Sequence, residues 1–251
     1  MNRLLLLHGF TGTPSAWDPI LSALPRDVAV LRPYLVGHGT PPAALDVDSF
    51  EAEVDRLSRL LARDATASTR TLVAGYSFGA RLAAGLCVRH PEVVSGALWI
   101  SGSAGLATED ERSARRDADA QWIELLEQRG LEAFIERWER QPLFATQSTL
   151  SSEQRAEERA RRRAHTARGL AHALAVAGLG RMPDYLPALH RVRIPVTILV
   201  GALDTRFAAL ARTMAGELPQ AQVTELPETG HNPLLERPDD VAAALVRALA
   251  A

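Results

Sequence analysis

A serine set between glycines, Gly75-Tyr76-Ser77-Phe78-Gly79, follows the apolar run 71–74 and leads into a helical pattern that contains Arg81. A serine hydroxyl does little chemistry until an imidazole accepts its proton, and the imidazole needs a carboxylate to fix its tautomer and stabilise its cation. The chain supplies both further on. Asp204 comes just after the β-branched run 194–200, and His231 lies in Gly230-His231-Asn232 after the last short strand-like run 222–226. Asp119 and Asp184 are rival acids, but neither follows a strand-like run. His8, His38 and His190 are rival bases, and only His231 sits in a glycine-flanked loop after the last strand. The order Ser77, Asp204, His231, each on a loop after a strand, points to nucleophilic or proton-transfer catalysis by a three-residue unit.

Such a unit needs a place for negative charge. Ser77 at a strand-to-helix turn leaves the backbone N–H of Phe78 at a helix N-terminus, facing any oxyanion that forms there. Upstream, the apolar run 4–7 ends in His8-Gly9-Phe10-Thr11-Gly12, a glycine-flanked loop whose N–H groups near Phe10 can point at the same spot. Gly75 and Gly79 give the room that a sharp turn at Ser77 demands. His38, between Gly37 and Gly39, reads as structural.

The elements that must hold these loops are legible as a pattern. Residues 4–7, 28–31, 71–76, 93–100, 194–200 and 222–226 read as strands, and 14–24, 49–63, 77–89 and 241–249 as helices, with Ser49 as a cap and Pro91 ending the helix after Ser77. Strand alternating with helix predicts an α/β protein with a three-layer, mostly parallel sheet and functional loops at the strands' C-terminal ends. From 106 to 185 no strand-like run occurs. That stretch is charged and helical, anchored by Trp122, Phe134, Trp138 and Phe144, and reads as a helical cap inserted into a core formed by 1–105 and 186–251.

Composition excludes several classes. With 28 basic and 30 acidic residues the net charge is −2, which favours neither nucleic acid nor a membrane surface as partner. The apolar run near the N-terminus is too short for an export signal, and no segment reaches transmembrane length. Cys87 is the only cysteine, which excludes an internal disulfide and fits a reducing cytoplasm. No metal-ligand spacing and no dinucleotide fingerprint is visible, so no cofactor is expected. The sequence leaves the oligomeric state open.

The segments resemble the α/β-hydrolase fold superfamily and, within it, the family of 2-succinyl-6-hydroxy-2,4-cyclohexadiene-1-carboxylate (SHCHC) synthases of menaquinone biosynthesis. The resemblance is carried by His8 to Gly12 with Trp17, the Ser77 turn with Arg81, Arg112 to Trp122, Trp138-Glu139-Arg140-Gln141-Pro142, Asp204 to Phe207, and Gly230-His231-Asn232. It implies a cofactor-independent carbon–oxygen lyase that eliminates pyruvate from a small, strongly anionic substrate bearing several carboxylates. It also implies substrate contacts from Tyr76, Arg81, Arg115, Trp138 and Arg162, with Arg161 or Arg163 as alternatives to Arg162. Guanidinium forks suit carboxylates because they grip them bidentately. Two departures stand out: small Ser101-Gly102-Ser103 replaces a bulkier segment before the cap, and the 145–153 connection is longer. The competing reading is a serine carboxylesterase acting through an acyl-enzyme; a binding protein with a relic site is a third.

Overall fold

The computed structural model describes residues 2–63 and 65–250. Six strands, β1 (Asn2–Leu7), β2 (Ala29–Leu31), β3 (Arg70–Tyr76), β4 (Gly96–Ile100), β5 (Val196–Gly201) and β6 (Ala221–Leu226), form one sheet in the order β2-β1-β3-β4-β5-β6. Every pairing is parallel, where a mostly parallel sheet was expected. The chain starts in β1, moves out to β2, and returns across it to β3. The order therefore reverses at the β1/β3 boundary, where loops diverge and leave a crevice beyond the strands' carboxyl ends. The loops after Leu7 and Tyr76 open into that crevice.

The central strands are apolar throughout because both sheet faces are covered. Leu5, Leu7 and Val73 pack with residues of α2 (Phe50–Ala62), α3 (Phe78–Arg89) and α7 (Thr205–Glu217) on one face. Leu4, Leu6, Leu72 and Ala74 pack with Ile20 of α1 (Asp18–Leu21), with Leu234 of the single turn α8 (Pro233–Glu236), and with Val241 and Leu245 of α9 (Pro238–Ala250) on the other. Ser49 caps α2 by accepting from the Ala52 N–H. The helix expected over 14–24 is instead a 3-10 turn followed by the single turn α1, since Pro14 and Pro19 each remove a backbone donor. The strand expected from residue 93 begins at Gly96, because residues 91–93 form a 3-10 turn opened by Pro91. Helix α7 was not anticipated from the sequence.

Between β4 and β5 the chain forms α4 (Glu109–Trp138), α5 (Ser152–Arg163) and α6 (Ala167–Ala177). Thr108 and Ser151 begin α4 and α5 with capping boxes, closed by Glu111 and Gln154. Gly130 breaks α4 with φ 77°, and the two halves fold over a small core of Leu126, Phe134, Ile135, Trp138, Leu170 and Leu174. Phe10, from the loop after β1, packs against this core and so joins it to the sheet.

Candidate active site

Ser77 joins β3 to α3 with φ 50° and ψ −104°, a conformation rare for any residue with a side chain. The surrounding glycines make it tolerable. A Cβ on Gly75 would lie 2.2 Å from the Gly79 carbonyl oxygen, and one on Gly79 would lie 2.2 Å from that of Leu7. The Ser77 N–H donates to the Ile100 carbonyl at 2.8 Å, which anchors the turn to β4.

The loops after β5 and β6 meet at another glycine pair. A Cβ on Gly201 would be 2.1 Å from the Gly230 carbonyl oxygen, so only glycine lets the two main chains touch there. This contact brings Asp204, at the start of α7, beside His231. His231 Nδ1–H donates to Asp204 Oδ2 at 2.6 Å, and Ser77 Oγ lies 3.0 Å from His231 Nε2. The imidazole is 2% exposed and held between the rings of Phe207 (4.5 Å) and Tyr76 (5.6 Å). Glu236 fixes its loop, accepting from the Gly230 N–H at 2.7 Å and the Asn232 N–H at 3.3 Å while Thr146 donates to it at 3.1 Å. Sequence reading passed over Glu236, because its partners lie in a non-repeating loop.

These groups open into a cavity of about 330 Å³ walled by Phe10, Tyr76, Phe78, Arg81, Arg115, Trp138, Phe144, Arg161, Arg162 and Phe207, besides Ser77 and His231. Of the candidate substrate-contact residues, Tyr76, Arg81, Arg115, Trp138 and Arg162 line it, as does the alternative Arg161. Phe78 is the first residue of α3, so its N–H has no acceptor within the helix. Burial, and then the carboxylates of Glu158, Glu236 and Asp204, raise the Tyr76 phenol well above its ordinary range, so it stays neutral. Trp138 stacks on Phe134 at 5.3 Å and meets Phe10 edge-on at 5.2 Å. Trp122 does not line the cavity; it backs Trp138 at 5.2 Å.

The arginines differ in how far they are already neutralised. Arg81 forms no ion pair among the described residues; it lies over the Phe78 ring at 5.0 Å and donates to the Ala177 carbonyl at 3.3 Å. Burial, and next the like charge of Arg115, lower its pKa to about 9, so it remains a cation at neutral pH. Arg115 donates through Nε to Asp119 Oδ1 at 2.9 Å. Asp119 is thus the counter-ion of this pair, and burial raises its pKa against the pull of Arg115. Arg162 is 5% exposed and flanked by Glu139 (3.3 Å) and Glu158 (3.9 Å), while Arg161 pairs with Glu157 and Glu158. Arg161 and Arg162 both reach the cavity. Arg163 does not, pairing with Glu132 at 2.8 Å on the outer surface. Uncompensated positive charge is therefore concentrated at Arg81 and Arg115. Among the described residues no group of His, Cys, Asp or Glu is arranged to hold a metal, and no helix is long and apolar enough to cross a membrane.

A parallel sheet with a strained serine after its third strand, bonded through a histidine to an aspartate after its fifth, defines a class of protein. Residues 4–244 match the alpha/beta hydrolase family model, and the chain belongs to that family. Within it, the chain is 34% identical over 249 residues to 2-succinyl-6-hydroxy-2,4-cyclohexadiene-1-carboxylate synthase of Enterobacter sp. (strain 638), covering 98% of this chain and 91% of the relative. It is 31% identical to the synthase of the same name from Escherichia coli (strain K12 / DH10B), covering 98% and 93%. The solved structure of MenH from S. aureus superposes with a TM-score of 0.91 at 27% identity, over 99% of this chain and 93% of that one.

Proposed function

We propose that the protein is an SHCHC synthase acting in menaquinone biosynthesis, a cofactor-independent lyase that eliminates pyruvate from 2-succinyl-5-enolpyruvyl-6-hydroxy-3-cyclohexene-1-carboxylate. The observation that carries this reading is the Arg81–Arg115 pair in the same cavity as the Ser77–His231–Asp204 chain. Two guanidinium groups with one shared counter-ion suit a carboxylate-rich substrate and would be a needless cost in a pocket for neutral esters. The names of the relatives support the same substrate.

In this reading Ser77 Oγ, passing its own proton to His231 Nε2, takes a ring proton from the substrate. The charge left behind spreads to an oxygen that the N–H groups of Phe10 and Phe78 receive. The ring carbon–oxygen bond then breaks, and the departing enolpyruvate takes up a proton to leave as pyruvate. Asp204 orients the imidazole and stabilises its cation. Arg81 and Arg115 grip one carboxylate, and Arg162 a second once Glu139 or Glu158 gives way. Tyr76 and Trp138 set the ring's position. Residues 106–185 serve as the cap that closes over the bound substrate. Incubation with the enolpyruvyl precursor should release pyruvate and form the conjugated diene product. No pyruvate release, together with efficient hydrolysis of neutral aryl esters, would replace this reading with the carboxylesterase one.

A further inference from the structure

Three buried histidines outside the Ser77–His231–Asp204 chain share one neighbourhood, and two of them hold a single residue. The Thr11 N–H donates to His38 Nε2 at 3.2 Å, while His38 Nδ1–H donates to the Val36 carbonyl at 2.8 Å. His165, from the turn between α5 and α6, donates through Nε2 to the Thr11 carbonyl at 3.1 Å and accepts the Gly39 N–H at Nδ1 at 2.9 Å. Both main-chain polar groups of Thr11 thus end on imidazoles, one from the core and one from the inserted helices. Thr11 has φ 65°, a left-handed conformation that a β-branched residue keeps only when its surroundings impose it.

One of these rings, His38, also touches both residues assigned to the oxyanion. His38 meets the Phe10 ring edge-on at 5.5 Å, stacks on Phe78 at 5.9 Å, and meets His165 edge-on at 5.1 Å. The seat of His165 is set by main-chain contact. A Cβ on Gly37 would lie 2.1 Å from the Gly169 carbonyl oxygen, and one on Gly169 2.2 Å from that of Gly37. The N-terminus of α6 therefore rests directly on the Gly37–Gly39 loop. Each ring meets one backbone N–H with a bare nitrogen, so each works in its neutral form, and burial lowers both pKa values accordingly.

We infer that His165 is a positioning residue, a latch through which the inserted helices hold Thr11, and with it the Phe10 N–H, in the geometry that receives the oxyanion, with His38 as its core-side partner. The inference rests on the reading of Phe10 and Phe78 as oxyanion donors. Its consequence is that the oxyanion site is complete only while the α5–α6 turn is seated on the core. Closure over the substrate and assembly of the charge-stabilising site are then one event.

The test compares His165→Ala, His165→Asn and His165→Gln. Asn reaches the Nδ1 position and can keep the Gly39 bond, whereas Gln reaches the Nε2 position and can donate to Thr11. Ala and Asn should lower kcat roughly ten- to a hundredfold with KM changed less than about threefold, and Gln should recover most of the loss. Amide exchange at Phe10 and Thr11 should quicken in the Ala and Asn variants while the β1 and β3 amides stay protected. Should His165→Ala fail to fold, His165→Asn carries the same comparison. If the wild type hydrolyses an aryl ester and releases no pyruvate, the same kcat pattern is read on the ester, so failure of the lyase reading leaves this test standing. A folded variant lacking the Thr11 bond that keeps wild-type kcat and wild-type exchange at Thr11 overturns the inference. So does a loss that lies wholly in KM.

Discussion

Arg81 carries the sharpest prediction, because the side chain that the proposed binding needs is one that folding disfavours. Its guanidinium has no ion-pair partner among the described residues, and burial and Arg115 lower its pKa to about 9, well below the ordinary guanidinium range. Each pKa unit corresponds to about 1.4 kcal/mol of disfavoured charge. The cavity wall leaves the group partly open to solvent, which screens much of this, so we expect replacement by Met to stabilise the fold by about 1–2 kcal/mol. In a domain of this size that raises Tm by roughly 2–8 °C. A charged hydrogen bond to a buried carboxylate is worth about 1.5–3 kcal/mol, so the same variant should lose about ten- to 150-fold in kcat/KM on the pyruvate-releasing substrate. Arg81→Lys should recover only part, since an ammonium cannot reproduce the bidentate fork. Pyruvate release under initial-rate conditions and differential scanning calorimetry read the two effects independently. A variant that is both less stable and unchanged in kcat/KM would refute the reasoning, because Arg81 would then be a structural group.

Ser77→Ala and His231→Ala should each lower turnover by at least about a thousandfold while the circular-dichroism spectrum and Tm stay near wild type, as for members of one proton-transfer unit. Asp204→Asn should do less damage than either. The buried histidines predict an acid limit: desolvation depresses the pKa of His8 to about 3 and lowers those of His38 and His165, against an unfolded value near 6.5. Since the unfolded chain binds these protons and the fold does not, their contribution is whole above about pH 6.5 and is lost as pH falls toward the folded values, by up to about 1.4 kcal/mol per pH unit for each ring. Melting curves from pH 7 to 5 should show Tm dropping steeply, with His8→Gln flattening the slope, and a level Tm over that range would count against neutral burial of the cluster.

What the sequence disclosed about the site follows from how parallel sheets are built. Ser77, Asp204 and His231 were legible because each stands one residue or a few past a strand end, and the strands' common direction gathers such positions at one edge without side-chain information. Arg81 was singled out only through the family resemblance; the structure puts it one helical turn beyond Ser77, with its N–H bonded to the Ser77 carbonyl. The triplet Arg161, Arg162 and Arg163 was ambiguous because successive residues on a helix point about 100° apart, and only the packing of α5 decides which of them meet Glu158, Glu139 or the outer surface. Helix α7 escaped notice because its buried stripe, Ala208, Ala211 and Met214, has little hydrophobic contrast.

The least legible part was the support of the loop after β1. Gly37-His38-Gly39 looked structural, and that is how the geometry uses it, but nothing local announces that His165 meets Thr11 across 154 residues. Two glycines make the meeting possible, Gly37 and Gly169, and each is explicable only by the other's main chain. The distinction has a chemical meaning. Groups proposed to move protons sit at positions the sheet topology must bring together, whereas those proposed to shape the oxyanion loop depend on how the helices between β4 and β5 pack against the rest of the fold. Changes in the helices between β4 and β5 would therefore act on the proposed oxyanion loop while leaving Ser77, His231 and Asp204 in place, since a site's chemistry is set by its residues and not by the fold that carries it.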